Sequence, residues 1–317
     1  MPDNNDNSSA TSRPESCQSG SCLCGAVEWE LTAPPLAHSW CHCSICRKLH
    51  GAAFGAYVAI PIDAFRFLSG RDHLTQYASS EGSLRSFCSS CGSVTPTIDA
   101  DAMLALVPAG NLDGAPGREL DSHLFTADAA CWFQIPSGAP QLPAFPPQFE
   151  GKPEPTVSRP SPEYNSISGS CHCGAVSFVA EHVTETMHHS HREVDRKACS
   201  APFATYSYVP SWGFRWAWGE SELKHFAVPE KDFEASFCRQ CGGAMPVFDK
   251  RRDSWQIPAG AWDQDPGHRP LAHIHTDERV DWQPIADRLA QFATAPPTVE
   301  PIDPELDMML KEIEASR

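Results

Sequence analysis

The chain has no apolar run approaching the roughly 18 residues that a membrane-spanning helix needs. Its first residues, Met1 to Gly20, are polar and lack the basic start and apolar middle of a secretory leader. Basic residues are scarce: 24 Lys and Arg stand against 40 Asp and Glu, for a net charge of −16. Such a field repels phosphate backbones and anionic lipid, so neither nucleic acid nor membrane is expected as a partner. Few windows carry the 3.6-residue apolar period of a helix, which argues against a helical bundle. The 14 cysteines fall short of the roughly 8–10% of residues that marks a disulfide scaffold. With no export signal, a reducing, cytoplasmic compartment is expected, where thiols more often bind metal or react.

What the chain does have is a repeat. Gly20-Ser21-Cys22-Leu23-Cys24-Gly25-Ala26-Val27 returns as Gly169-Ser170-Cys171-His172-Cys173-Gly174-Ala175-Val176, an offset of 149. Phe54 returns as Phe203 at the same offset, and Phe87-Cys88-x-x-Cys91-Gly92 returns as Phe237-Cys238-x-x-Cys241-Gly242 at 150. Pro108-Ala109-Gly110, His123 and Trp132 return as Pro258-Ala259-Gly260, His273 and Trp282. One insertion between Phe203 and Phe237 accounts for the change of offset. A period this long reads as a duplicated domain rather than a solenoid.

The layout that follows is a disordered tail (1–16), a first domain (17–136), a proline-rich extended linker (137–164), a second domain (165–296) and a C-terminal tail (297–317) with a possible short helix at 304–310. Ala26–Leu31 and Ala175–Ala180 alternate as strands do. Phe54–Ile60 and Thr205–Val209 are aromatic and β-branched runs that stop at proline. The fold class expected is mainly β, with short helices.

Cys22 and Cys24, two apart on an extended segment, face one way. Cys88 and Cys91 meet across a tight turn in which Gly92 supplies positive φ. Four sulfurs suit a closed tetrahedral zinc site, and Cys171, Cys173, Cys238 and Cys241 repeat it. Such a site holds strands together and is not expected to be catalytic.

Only the first copy has Cys41, Cys43 and Cys46. Three thiolates on zinc leave a position for water or substrate, the pattern of a catalytic site. Against this stands a second structural site, closed by His42, His50 or Cys17. At the Phe54/Phe203 offset the three cysteines fall on Ser190, Arg192 and Asp195. His188, His189, His191 and Cys199, with Asp195, could build a different metal site there, or this could be a drifted, solvated loop. Arg47 and Lys48 could pair with substrate carboxylates or be surface charge. His42 or His50 could be an acid or base. Cys131 reads as a small core residue, and Trp212, Trp216 and Trp218 as core.

Residues 20–135, through the Gly20–Val27 motif, Cys41-His42-Cys43-Ser44-Ile45-Cys46-Arg47-Lys48, Gly51-Ala52-Ala53-Phe54 and Phe87-Cys88-x-x-Cys91-Gly92-Ser93, resemble the family of glutathione-dependent formaldehyde-activating enzymes, which includes centromere protein V. The second copy matches at its outer motifs. The resemblance implies a β-tent fold, with antiparallel sheets gathered around zinc. It implies structural ligands at Cys22, Cys24, Cys88 and Cys91 and catalytic ligands at Cys41, Cys43 and Cys46. The reaction implied joins glutathione and formaldehyde, a carbon–sulfur lyase run in reverse. The expectation is about three zinc ions per chain, two structural and one catalytic, with glutathione as a small-molecule partner. The rival class is a non-catalytic zinc scaffold that binds a protein.

Overall fold

A computed structural model describes residues 18–136, 138–145, 166–181 and 186–295. The N-terminal tail with Cys17, most of the linker, and the C-terminal tail with its possible helix lie outside the described residues.

The first copy strings together β1 (Gln18–Ser21), β2 (Glu28–Leu31), β3 (Ala37–Cys41), α1 (Ser44–His50), β4 (Gly55–Pro61), β5 (Phe65–Ser69), β6 (Leu74–Ser80), β7 (Ser83–Cys88), β8 (Val94–Thr95), β9 (Thr97–Asp99), β10 (Leu104–Pro108) and β11 (Ser122–Leu124). They form three sheets, in the orders β1-β2-β5, β11-β3-β4-β10-β9 and β6-β7-β8. Pairing is antiparallel except where β11 runs parallel to β3. The alternation read in the sequence is the inward face of β2, where Trp29 and Leu31 are core. Glu30, on the other face, is ion-paired with Arg66 of β5 at 2.5 Å. The aromatic run became β4, the middle of the largest sheet of the copy, and it stops at Pro61 as expected.

The second copy repeats this with β12 (Ile167–Ser170), β13 (Ser177–Ala180), β14 (Met187–Ser190), α2 (Glu193–Cys199), β15 (Ala204–Pro210), β16 (Phe214–Trp218), β17 (Leu223–Val228), β18 (Phe233–Cys238), β19 (Ala244–Met245), β20 (Val247–Asp249), β21 (Ser254–Pro258), β22 (Ala272–Ile274) and β23 (Ala290–Gln291). Its sheets are β12-β13-β16, β20-β21-β15-β14-β22-β23 and β17-β18-β19. β23 runs beside β22, with Gln291 opposite His273. Gln141 stands likewise opposite His123 in the first copy. The stretch read as the start of an extended linker therefore packs back on β11, through His123 N to Pro140 O (2.8 Å) and Thr126 N to Leu142 O (3.0 Å).

One apolar cluster runs through both copies, joined where Phe54 meets Phe203 edge-on at 5.7 Å. The contact between copies has near two-fold character. Lys48 of α1 donates to Ser170 O (2.8 Å), Ala261 O (2.9 Å) and Asp263 Oδ1 (2.7 Å). Its counterpart Lys197 of α2 donates to Ser21 Oγ (3.1 Å) and Asp113 Oδ1 (3.3 Å). The repeated Pro-Ala-Gly now has a reason. A Cβ on Gly110 would lie 2.4 Å from Ala201 N, and one on Gly260 would lie 2.1 Å from Arg47 O. Each glycine lets one copy's backbone touch the other's.

Candidate metal centres

Strand ends and two turns assemble the four-cysteine groups. β1 ends just before Cys22, and the chain turns back through Gly25, whose φ is 73°. That turn points Val27 N at Cys22 Sγ (3.3 Å), a donor that favours the thiolate. β7 ends on Cys88, and Gly92 N closes the next turn on Cys88 O (2.9 Å) with φ 79°. Cys22, Cys24, Cys88 and Cys91 come together, with Cys22 Sγ–Cys24 Sγ at 3.5 Å and Cys24 Sγ–Cys88 Sγ at 3.8 Å. Sulfurs held about 2.3 Å from one tetrahedral ion stand about 3.8 Å apart, so the donor set fits a metal. Cys171, Cys173, Cys238 and Cys241 repeat it, at 3.5 and 3.7 Å for the matching pairs.

Cys41 closes β3, and Cys43 sits at the head of α1, where its sulfur accepts from Cys46 N (3.4 Å). The first turn of this helix brings Cys46 round to Cys43. Cys41 Sγ and Cys43 Sγ are 3.4 Å apart, and the three sulfurs form one buried group. Cys41 resists ionisation because of its contact with Cys43, then Cys46, then burial. For Cys43 the contact with Cys41 lowers the pKa, but Cys46 and burial outweigh it and push it up to about 12. Three crowded sulfurs repel one another as thiolates, and a divalent cation among them is what such a donor set fits.

Neither histidine proposed as a closing ligand turns toward these sulfurs. His42 follows Cys41 on an extended segment and so faces the opposite way, with Nε2 on His123 Nδ1 at 3.0 Å. Burial, then His123, pushes its pKa down to about 3. His50 bonds Tyr57 OH through Nε2 and Cys199 O through Nδ1, both at 2.6 Å. Burial holds it neutral, at about 4.

Tyr57 and Arg85 are site residues that the sequence reading missed. Tyr57 belongs to the buried cluster around Cys41, Cys43 and Cys46. Arg85 of β7 stacks on Tyr57, with its guanidinium 5.9 Å from the ring centre. Burial would lower its pKa, but Cys46 and Tyr57 raise it overall, so it stays charged beside the sulfurs. Lys48 is buried between the copies and offers nothing to a substrate carboxylate, and Arg47 Nε turns back to His42 O (3.3 Å). Cys131 is exposed rather than core. Trp216 packs on the core, whereas Trp212 and Trp218 are exposed.

The second copy fills the corresponding corner without thiols. Ser190 Oγ donates to Asp195 Oδ2 (2.5 Å) and Tyr206 OH to Asp195 Oδ1 (3.0 Å). Burial pushes the Asp195 carboxyl above its usual range. Ala235 stands where the first copy has Arg85, and Cys199 where it has His50. The neighbouring histidines do not gather on Asp195 or Cys199. His188 Nε2 meets Tyr208 OH at 3.4 Å, and His191 Nε2 meets His273 Nδ1 at 2.8 Å. His189 instead comes together with His273 and Asp287.

The profile of the family described as glutathione-dependent formaldehyde-activating enzyme matches residues 17–128 and again 166–278. A Halomonas elongata protein named "Putative glutathione-dependent formaldehyde-activating enzyme" is 36% identical over 87 residues, covering 25% of this chain and 55% of that protein. The chain thus spans about half the length of that relative. A crystal structure of a Rhodobacter sphaeroides protein is 28% identical, covering 31% of this chain and 89% of the other, with a TM-score of 0.27. No helix among the described residues is long and apolar enough to cross a membrane.

Proposed function

Because the chain belongs to the glutathione-dependent formaldehyde-activating family, we propose that it is a zinc enzyme of the carbon–sulfur lyase type. Its substrate would be the glutathione adduct of formaldehyde or of another small carbonyl compound. The observation that carries this reading is the buried group of Cys41, Cys43 and Cys46, present in the first copy and replaced by Ser190, Arg192 and Asp195 in the second. In this reading the eight cysteines of the two four-sulfur groups hold structural zinc in units 17–136 and 165–296. Cys41, Cys43 and Cys46 hold a third ion.

When bound by three thiolates, zinc supplies Lewis acidity and an open coordination position. The chain's own residues supply the surroundings. Ile45, Leu49 and Val94 line the sulfurs and exclude water. The Arg85 guanidinium offsets the negative charge that three thiolates bring. Tyr57, fixed by neutral His50, presents a phenol to the same cluster. In the synthetic direction a C–S bond forms between the glutathione sulfur and the carbonyl carbon. The C=O π bond breaks, and the thiol proton ends on the new hydroxyl.

Metal analysis of the purified chain beside Cys43→Ser, with glutathione-dependent formaldehyde turnover, tests the reading. About three tightly held zinc ions are expected in the wild type and two in the variant, which stays folded and loses turnover. Two ions in both proteins, or turnover that survives the substitution, would sink it.

A further inference from the structure

We propose that His189, His273 and Asp287 bind a divalent transition-metal cation, in a site built only in the second copy and opening on a cavity lined by both. The three side chains bring one donor atom each within 4.8 Å of one another. His189 and His273 are 2% and 3% exposed. Each imidazole already uses Nδ1 on an outer partner: His189 on Thr205 Oγ1 (2.9 Å) and His273 on His191 Nε2 (2.8 Å). That leaves Nε2 of both rings. His273 Nε2 lies 3.0 Å from Asp287 Oδ2. Ligands held about 2.0–2.2 Å from one cation at angles of about 90–110° stand about 3.0–3.5 Å apart. An outer partner on the second ring nitrogen is the usual way a protein fixes the tautomer and aim of a ligating histidine.

The comparison within the chain says these donors are not inherited packing. Where the second copy has His189, the first has Trp40, stacked on Phe54 at 4.1 Å. At the position matching Asp287 the first copy has Ser137. Only His273 has a counterpart, His123. Exchanging a buried, stacked tryptophan for an imidazole sacrifices apolar contact and costs desolvation, and a bound cation offsets both. The donor set is two nitrogens and a carboxylate, without sulfur. It suits zinc, cobalt, nickel or ferrous iron, and three protein ligands leave positions free. His273 and Asp287 line a cavity of about 190 Å³, together with His191 from the second copy and Phe133, Gln134 and Gln141 from the first. At about 30 Å³ per water, that is room for the cation's waters or a small ligand.

The test titrates Co²⁺ into the full chain with its thiolate groups already filled with zinc, following equilibrium dialysis and visible absorption. One further Co²⁺ per chain is expected, with the spectrum of nitrogen and oxygen ligation and no sulfur-to-cobalt charge transfer. Asp287→Asn, at an exposed carboxylate, and His189→Trp, which installs the first copy's residue, are each expected to weaken uptake by at least about tenfold, and Thr205→Val by about tenfold. Thermal unfolding without cobalt checks that each variant is folded. No uptake beyond the thiolate groups, uptake seen only with sulfur charge transfer, or uptake unchanged in the folded His189→Trp/Asp287→Asn double variant would overturn the proposal.

Discussion

At the end of the third strand the first copy has Cys41 and the second has Ser190. From that point two frames built from matching strands diverge in chemistry. Both keep the four-sulfur group and the strand order around it. Both keep the histidine pair behind it, His42–His123 and His191–His273. Within the same frame the first copy surrounds three sulfurs with Tyr57 and a charged Arg85. The second closes the corner with a serine–aspartate–tyrosine cluster and assembles a nitrogen–oxygen group on the other side of its histidine pair. The four-sulfur group, the strand order and the histidine pair are what the two copies share, and the corner beside them is where they differ.

The largest effect that can break this comparison is loss of a four-sulfur group. Structural zinc binding of about 10–16 kcal/mol exceeds or matches a domain's whole stability. Cys88→Ser and Cys238→Ser are both expected to abolish the cooperative unfolding transition of the whole chain, because one apolar cluster joins the copies. If Cys238→Ser left first-copy turnover and a sharp calorimetric transition intact, the copies would be independent units. Next in size is an asymmetry between equivalent lysines. Lys48 and Asp263 are both buried, whereas Asp113, the partner of Lys197, is half exposed. Lys48→Ala strands a buried carboxylate and is expected to cost about 3–5 kcal/mol in urea unfolding. Lys197→Ala is expected to cost about 1 kcal/mol or less. Equal losses would mean the two-fold contact is energetically symmetric after all. The smallest effect sharpens the comparison at the site. Arg85→Ala copies the second copy's Ala235 and should weaken metal retention at Cys41, Cys43 and Cys46 by about tenfold in a chelator competition, with the fold unchanged.

The duplication, the gathering of eight cysteines into two four-sulfur groups and the main strands were readable because each rests on local spacing. Cys-x-Cys and Cys-x-x-Cys fix where sulfurs point within a few residues, and the second copy confirmed the first. The helix at Ser44–His50 was not readable, since seven residues are too few to show a period. The partners of Lys48 lie 122 to 215 residues away, and no sequence pattern links them. Arg85 sits amid an ordinary strand and becomes a site residue only through the tertiary packing that sets its guanidinium over the Tyr57 ring. Asp287 lies beyond the last repeat landmark, in a stretch without one, and only the chain's return beside β22 brings it to His273.

Lys48 and the bare glycine faces also bear on how the chain is made. At about 5–20 residues per second, Asp263 leaves the ribosome about 10–40 s after Lys48, which it follows by 215 positions. For that interval the first copy can close its own sulfur groups. Its inner face, however, carries the Lys48 side chain and the Gly110 backbone before the second-copy groups they contact have been made. A neighbouring nascent chain whose second copy is finished offers the same groups.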